Sequence, residues 1–447
     1  MTEKQDLNKL TPFTDMGEVE KNENTPTEMM IVGVGGGGSN AVRNMYTKHR
    51  LDNIRYVVCN TDSQALEKSG VPTQLLLGPN VTKGRGAGNR PEVARQAAEE
   101  SEEDIRALFA SDPHPNMVFV TAGMGGGTGT GAAPIVARIA KELDILTVGI
   151  VTIPFLFEGM PKIQKALTYI DELRKHVDAL LIINNERLYE IYPSLTIVNA
   201  FSMADDILSV AAGSIIEIIV REGYMNCDFC DVRSTLLNGG TAIISTGYGE
   251  GENRVTAAIE DAIRSPLLKN ADIYSAKNLL VAIYISPDEE KQMTVSESGE
   301  LSAFTRRFVN TPDVITGIYF DEEVGDKMKI TILAAGFNDS NTTSVPKQQP
   351  TSGKNSETPQ VIEEDNTITI ETMYSPAAVR EMKRKSLQLA ILTPEQMDND
   401  ALLEMFDNEP TYSRSTDFKQ RFATASVARS VENTPSENNI KIINFDD

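Results

Sequence analysis

Two stretches of the chain bring together residues that can do chemistry. The first is Thr121-Ala122-Gly123-Met124-Gly125-Gly126-Gly127-Thr128-Gly129-Thr130-Gly131-Ala132-Ala133-Pro134. Glycines at this density let backbone N–H groups turn inward around an anion, and a helix start behind them adds partial positive charge. The hydroxyls of Thr128 and Thr130 add donors for phosphate oxygens. A plain strand-to-helix turn needs fewer glycines, each of which raises the entropy cost of folding, so the stretch reads as an anion cradle. The second is Asn226-Cys227-Asp228-Phe229-Cys230-Asp231-Val232. Two acids three residues apart at a helix start are commonly a capping pair. The same placement sets two carboxylates side by side, where they can orient and polarise a water for attack on phosphorus.

Two further glycine loops precede the first stretch. Gly33-x-Gly35-x-x-Gly38 matches the dinucleotide fingerprint, and Asp62 follows at about the spacing of a ribose contact. Taken alone, that region fits a nicotinamide-dependent Rossmann dehydrogenase. The dehydrogenase reading leaves Gly84-Arg85-Gly86-Ala87-Gly88-Asn89-Arg90-Pro91 and the acid pair without a role. One cradle serves a diphosphate; three at successive strand ends suit a nucleoside triphosphate. No Gly-x-x-x-x-Gly-Lys-Ser/Thr occurs, and no lysine lies in Gly35–Asn40 or Gly123–Gly131. The chain is therefore no P-loop protein, and phosphate charge must be offset by backbone amides, helix dipoles and Mg²⁺. A nucleotide-binding scaffold without hydrolysis is a third reading, against which Asp228 and Asp231 speak.

The elements that must hold these loops follow from periodicity. Apolar runs at Met29–Val34, Arg55–Asn60, Gln74–Leu77, Met117–Val120, Leu146–Pro154 and Ala179–Asn184 read as strands. Helical patterns at Ala41–Tyr46, Pro91–Ala110, Ala132–Leu143 and Lys162–His176 alternate with them. The alternation predicts an α/β fold, a doubly wound parallel sheet with the glycine loops at its ligand-binding edge. Asn199–Glu222 reads as one helix of roughly 35 Å, capped by Asn199 and stopped by Gly223. It is apolar on nearly every face, which predicts burial between two domains. Strands Thr241–Thr246, Leu279–Ser286, Asp313–Phe320 and Lys327–Ala335, with helices Asn253–Arg264 and Glu297–Asn310, predict a smaller α+β domain with a four-stranded sheet.

The domain plan is a disordered leader over 1–28, a nucleotide-binding domain over 29–198 and the central helix over 199–223. An activation domain over 224–338 carries the catalytic loop 224–232. A mostly disordered linker over 339–447 includes a basic cluster at Arg380, Lys383, Arg384 and Lys385. It ends in Ile440-Lys441-Ile442-Ile443-Asn444-Phe445, an apolar tip that reads as a partner peptide within 440–447.

The net charge of −22 over 447 residues argues against nucleic acid and against anionic membrane as direct partners. No apolar run is long enough to span a bilayer, and Met1–Glu28 has no signal-peptide core. Three cysteines make no disulfide framework, and the chain is expected in the cytoplasm. Cys227-x-x-Cys230 cannot make a four-ligand zinc site, and redox chemistry there has only spacing in its favour. The pair is read as incidental.

Gly125-Gly126-Gly127-Thr128-Gly129-Thr130-Gly131 resembles the signature loop of the tubulin/FtsZ superfamily, in its bacterial cell-division form. Asn226–Val232 is similar to that family's Asn-x-Asp-Phe-x-Asp-Val loop at every fixed position, and residues 29–338 carry the resemblance. It implies GTP and GDP as ligands, with Mg²⁺, and GTP hydrolysis. The nucleotide residues it implies are Gly36, Gly37, Gly38, Ser39, Asn40, Ala87, Gly88, Gly125, Gly126, Gly127, Thr128, Gly129 and Thr130. Glu158 matches the family's ribose contact, and Lys162 stands where relatives carry Arg. Asn185 and Phe201 match positions near the guanine, and Asp206 matches the acid that accepts from guanine N1 and its amino group. Asn226, Asp228 and Asp231 match the catalytic positions. Because that loop lies at the far end of a long helix from the glycine loops, it is expected to act on the nucleotide of a neighbour. The resemblance thus implies head-to-tail filaments, a cytokinetic ring at the division site, and membrane tethers and division regulators bound through the tail. The tail tip departs from the family's usual proline-containing version.

Overall fold

In the first half of the chain, short apolar runs are punctuated by glycine and polar turns, and they fold as parallel strands joined by helices. The computed structural model describes residues 29–374, apart from 49, 52–53, 112, 193, 265–272, 309–312 and 338–369. The expected leader, the basic cluster and the tail tip lie outside the described residues. The first half runs β1 (Met29–Val34), α1 (Gly35–Lys48), β2 (Ile54–Asn60), α2 (Ser63–Ser69), β3 (Thr73–Leu76), α3 (Pro79–Thr82), α4 (Pro91–Glu100) and α5 (Glu102–Phe109). It continues with β4 (Met117–Gly123), α6 (Thr128–Glu142), β5 (Leu146–Ile153), α7 (Met160–Arg174), β6 (Ala179–Asn184) and α8 (Glu186–Ile191). The strands lie in the order β3-β2-β1-β4-β5-β6, all parallel. Every residue of β1 and β5 is buried, as helices on both faces require. Chain order reverses between β1 and β4, and open sheets of this kind bind ligands outside the strand ends at such a point.

Several helices depart from the periodicity reading, and α6, like α1, begins inside its glycine loop, at Thr128 and not at Ala132. α1 begins at Gly35, inside the glycine run, and not at Ala41. The helix expected over Pro91–Ala110 is two helices broken at Ser101. Ser101 is buried, and its hydroxyl accepts from the Gly78 N–H at 3.0 Å, which ties the break to the loop after β3. Hydropathy does not reveal such a contact.

The central helix, α9 (Ile197–Val220), starts two residues earlier than expected. Thr196 is the cap, its side chain accepting from the Asn199 N–H at 3.3 Å, so Asn199 lies inside the first turn. α9 packs on α1, β5 and α8 of the first half of the chain and on β8 and α10 of the second. Its last turns are fixed by charge. Lys329 reaches both carboxylate oxygens of Glu217 at 3.1 Å, and Arg221 pairs with Glu217 at 2.7 Å and Asp321 at 3.3 Å. Glu217, Lys329 and Asp321 are buried, where removal of one partner would strand the others' charge.

The second half runs β7 (Gly223–Met225), α10 (Phe229–Leu236), β8 (Gly240–Gly249), α11 (Arg254–Ile263), β9 (Asn278–Ile285), α12 (Val295–Thr305), β10 (Asp313–Phe320) and β11 (Met328–Ala335). The four expected strands pair as β8-β11-β9-β10. β7 adds a short antiparallel edge against β10; three residues are too few to show a period. A two-residue parallel link, Ala179–Gly240 and Leu180–Thr241, joins the two sheets edge to edge. After the undescribed stretch, α13 (Ile370–Met373) lies against α7. No helix among the described residues is long and apolar enough to cross a membrane.

Candidate functional site

The glycine loops converge on one crevice, and the closeness of their backbones accounts for their composition. Gly35 has φ +72°, and a Cβ there would stand 2.5 Å from the Gly129 nitrogen. The loop after β1 therefore lies directly on the loop after β4. A Cβ on Gly127 would stand 3.1 Å from the Asn89 nitrogen and 3.2 Å from the Ala87 side chain, which brings in the third loop. Gly125, at φ +93°, is closed in by the Pro154 ring and the Lys162 carbonyl, which brings in the loop after β5. Gly36 and Gly126 instead face open space, where an added Cβ would meet nothing within 4 Å.

The polar atoms around this space are arranged for a ligand with acceptors. α1 and α6 both begin here, and their first-turn N–H groups have no partner within the helix. Neither helix has an acid in its first turn, so the positive ends of both dipoles stay uncompensated. The hydroxyls of Ser39, Thr121 and Thr130 are buried and make no hydrogen bond among the described residues, and neither does the Asn185 side-chain oxygen. Buried polar atoms left so are costly unless a partner arrives. Gly37 and Gly38 continue the first turn of α1, Asn40 is exposed beyond them, and Ala87 is buried beside an exposed Gly88. Thr128 is held by a 2.7 Å hydrogen bond to Thr61, a residue that sequence reasoning passed over because Thr61 sits outside any glycine motif.

At the other side of the crevice Glu158 is already engaged. One carboxylate oxygen accepts from the Phe155 N–H at 3.0 Å, and the other from Lys162 at 3.0 Å. Lys162 thus pairs with Glu158 one helical turn away. Phe155, Phe157 and Phe201 form an aromatic cluster with centroids 5.2 to 6.3 Å apart. Phe157 is 60% exposed and Phe201 39% exposed, so the cluster offers ring surface at the rim. Asp206 accepts from the Asn44 side-chain amide and from Lys48 at 3.2 Å. Sequence reasoning missed Asn44, although Asn40, Asn44 and Lys48 repeat at the spacing of one helix face. Burial, and then the charge of Asp206, pushes the Asp205 carboxyl up to about 7, against a smaller opposing effect of Lys48. Asp62 caps α2, accepting from the N–H groups of Gln64 and Ala65; its carboxylate does the work of a helix cap where a dehydrogenase would need a ribose contact.

The acid pair lies beyond the opposite end of α9. Asp228 caps α10 and accepts from the Asp231 N–H at 3.0 Å, while Asp231 accepts from the Asp228 N–H at 2.9 Å. The reciprocal cap uses one oxygen of each carboxylate and holds both acids at a helix start, Asp228 exposed and Asp231 half-buried. Asn226 is tied back to the strand edge by accepting from the Gly223 N–H at 2.6 Å. The buried Tyr319 hydroxyl accepts from the Cys227 N–H at 3.2 Å and donates to the Ile218 carbonyl at 2.9 Å, joining this loop to α9. Cys227 and Cys230 are both free thiols, and burial raises the pKa of Cys227, which opposes thiolate chemistry. Asp206 and Val220 are separated by roughly 20 Å of helix at 1.5 Å per residue, so the acids cannot reach the crevice of their own chain. Tyr224 and Met225, next to the acid loop, are exposed apolar residues, at 79% and 47%.

Comparison with known proteins gives two family matches. Residues 28–193 match the Tubulin/FtsZ family, GTPase domain, and residues 240–338 match the FtsZ family, C-terminal domain. The chain is similar to the cell division protein FtsZ of Porphyromonas gingivalis, at 48% identity over 90% of this chain and 87% of that one. It is also similar to the cell division protein FtsZ of Buchnera aphidicola from Acyrthosiphon pisum, at 44% identity over 69% of this chain and 78% of that one. Among solved structures, an empty FtsZ dimer from M. jannaschii superposes with a TM-score of 0.63 at 35% identity, covering 70% of this chain and 89% of that one.

Proposed function

The chain belongs to the tubulin/FtsZ family of GTPases, and from that premise we propose that it polymerises head to tail and hydrolyses GTP only where two copies meet. The observation that carries this reading is the separation of the two half-sites. A crevice rich in unpartnered donors lies at one end of α9, and a capped carboxylate pair, one exposed and one half-buried, lies beyond the other. Both ends also carry exposed apolar residues, Phe157 and Phe201 at one and Tyr224 and Met225 at the other, as a heterologous contact requires.

In this reading the amides of Gly36, Gly37, Gly38, Gly125, Gly126, Gly127 and Gly129 cradle the phosphates at two helix starts, and Ser39, Asn40, Thr128 and Thr130 donate to their oxygens. Ala87 and Gly88 close the near side. Glu158 and Lys162 exchange their mutual pair for contacts to the ribose, and Asn185, Phe201 and Asp206 read the guanine. Asp206 fits that task because guanine offers two adjacent donors and adenine does not. Mg²⁺ would offset the charge of the phosphates. Asp228 and Asp231 of the next subunit orient and polarise the water that attacks the γ-phosphorus, with Asn226 fixing the loop that carries them. Bound GTP favours the contact and hydrolysis weakens it, in a cytoplasmic filament that forms the cytokinetic ring at the division site. Membrane tethers and division regulators dock through the tail.

Light scattering with phosphate release, in GTP, ATP and NAD separately, tests the reading. GTP alone is expected to give both assembly and turnover. Assembly with ATP, or turnover without assembly, would overturn it.

A further inference from the structure

Residues 370–374 come back to the first sheet at the edge of the crevice. Tyr374 is 2% exposed, an unusual degree of burial for an aromatic that follows a single turn of helix. Its hydroxyl donates to the Pro154 carbonyl at 2.6 Å, and the Asn184 side-chain amide donates to the Met373 carbonyl. Burial, with the carboxylates of Glu186 and Glu158 nearby, raises the Tyr374 phenol far above its ordinary value, so it stays a donor.

The two partners of this segment are not incidental. Pro154 begins the loop that carries Phe155, Phe157 and Glu158, and its ring fills the space beside Gly125. Asn184 ends β6, accepts from the Glu186 N–H at 2.9 Å, and precedes Asn185. Glu186 in turn accepts from the Leu156 N–H at 2.8 Å. One five-residue segment is therefore bonded to the ends of both β5 and β6, and those ends are themselves cross-linked. Among the described residues, the contacts of Tyr374 and Met373 fall on this one side of the crevice.

We propose that residues 370–374 are a strap on the crevice: docked on Pro154 and Asn184, the segment holds loop 154–159 and residues 184–186 in place and slows the escape of bound nucleotide. The nucleotide half of this inference rests on the GTP reading; the loop-holding half does not. The occupant is the chain's own segment, seated by Tyr374 on Pro154 and Met373 on Asn184, and a link of 32 residues, 338–369, has a contour limit of about 100 Å.

The test uses the full-length chain, dilute and without GTP so that it does not assemble. Hydrogen exchange is followed with and without GDP in the wild type, Tyr374→Phe and Tyr374→Ala. Loss of one buried hydrogen bond is expected to speed exchange over 154–159 and 184–186 by about fivefold in Tyr374→Phe. Tyr374→Ala is expected to do so by at least about tenfold, while β8 and β11 stay protected. A fluorescent GDP analogue is expected to leave several-fold faster from both variants. Unchanged exchange at these loops in the nucleotide-free protein would overturn the strap whatever the nucleotide result. Faster loop exchange with unchanged release of bound analogue would overturn its control of nucleotide. A wild type that binds no GDP analogue, with the exchange differences intact, would count against the GTP reading and leave the strap standing.

Discussion

The two ends of α9 are built on different principles. The crevice end is made of backbone: four loops packed so tightly that side chains are excluded at Gly35 and Gly125 and crowded at Gly127, with donors left waiting for a partner. The acid end is made of side chains: two carboxylates held by their own reciprocal cap, a tyrosine hydroxyl, and an ion-pair cluster beneath. A backbone cradle tolerates almost no added atom, whereas a capped acid pair can change its chemistry without losing its scaffold. The comparison predicts that the crevice end fails by losing fold and binding together, and the acid end by losing turnover alone.

The largest effect is expected at the crevice. A Cβ on Gly38 would stand 2.2 Å from the Thr121 carbonyl oxygen, so Gly38→Ala is expected to cost about 3 kcal/mol or more in urea unfolding and to abolish nucleotide binding. Gly126→Ala, in open space on the facing loop, is expected to stay within about 0.5 kcal/mol of wild type. Equal losses in both would break the distinction between packed and open glycines.

At the acid end, Asp231→Ala is expected to lower GTP turnover at least about 100-fold while GTP affinity, read by fluorescent nucleotide titration, stays within about twofold. Loss of the cap adds about 1 kcal/mol of destabilisation. If affinity fell with turnover, the two ends would not be separate half-sites. A smaller effect sharpens the same point. Tyr319→Phe removes the hydroxyl that joins Cys227 to Ile218, and is expected to slow turnover about fivefold with nucleotide affinity unchanged.

The smallest effect concerns pH. The folded protein holds the Asp205 carboxyl at about 7, above the 3.8 of its ordinary state. Its stabilising contribution is therefore complete below about pH 4 and is lost as pH rises through 7. Asp205→Asn removes that loss. Its Tm is expected to exceed wild type by about 2 °C at pH 8, with the gap closing toward pH 4. A gap that widened toward acid would mean that the buried carboxyl is held charged.

The crevice end was the more legible in sequence because glycine density and strand periodicity are local signals. Gly33–Asn40, Gly84–Pro91 and Gly123–Thr130 could be read as cradles without knowing what they touched. At the acid end the reciprocal cap of Asp228 and Asp231 was legible for the same reason. What escaped was long-range or brief: the three-residue β7, the break at Ser101 set by Gly78, the cap at Thr196, and the hold of Asn44 and Lys48 on Asp206. The pairing of Lys162 with Glu158 belongs here too, since each was read as a ligand contact and each engages the other. The docking of Tyr374 on Pro154 spans 220 positions, and no pattern along the chain announces it.

The central claim is that an active site exists only between copies. Its most direct measurement is phosphate release per subunit in saturating GTP as total protein is lowered through the assembly threshold. Turnover per subunit is expected to fall toward zero as scattering vanishes. A rate per subunit that held constant through that dilution would mean that each chain carries its own complete site, and would contradict the account.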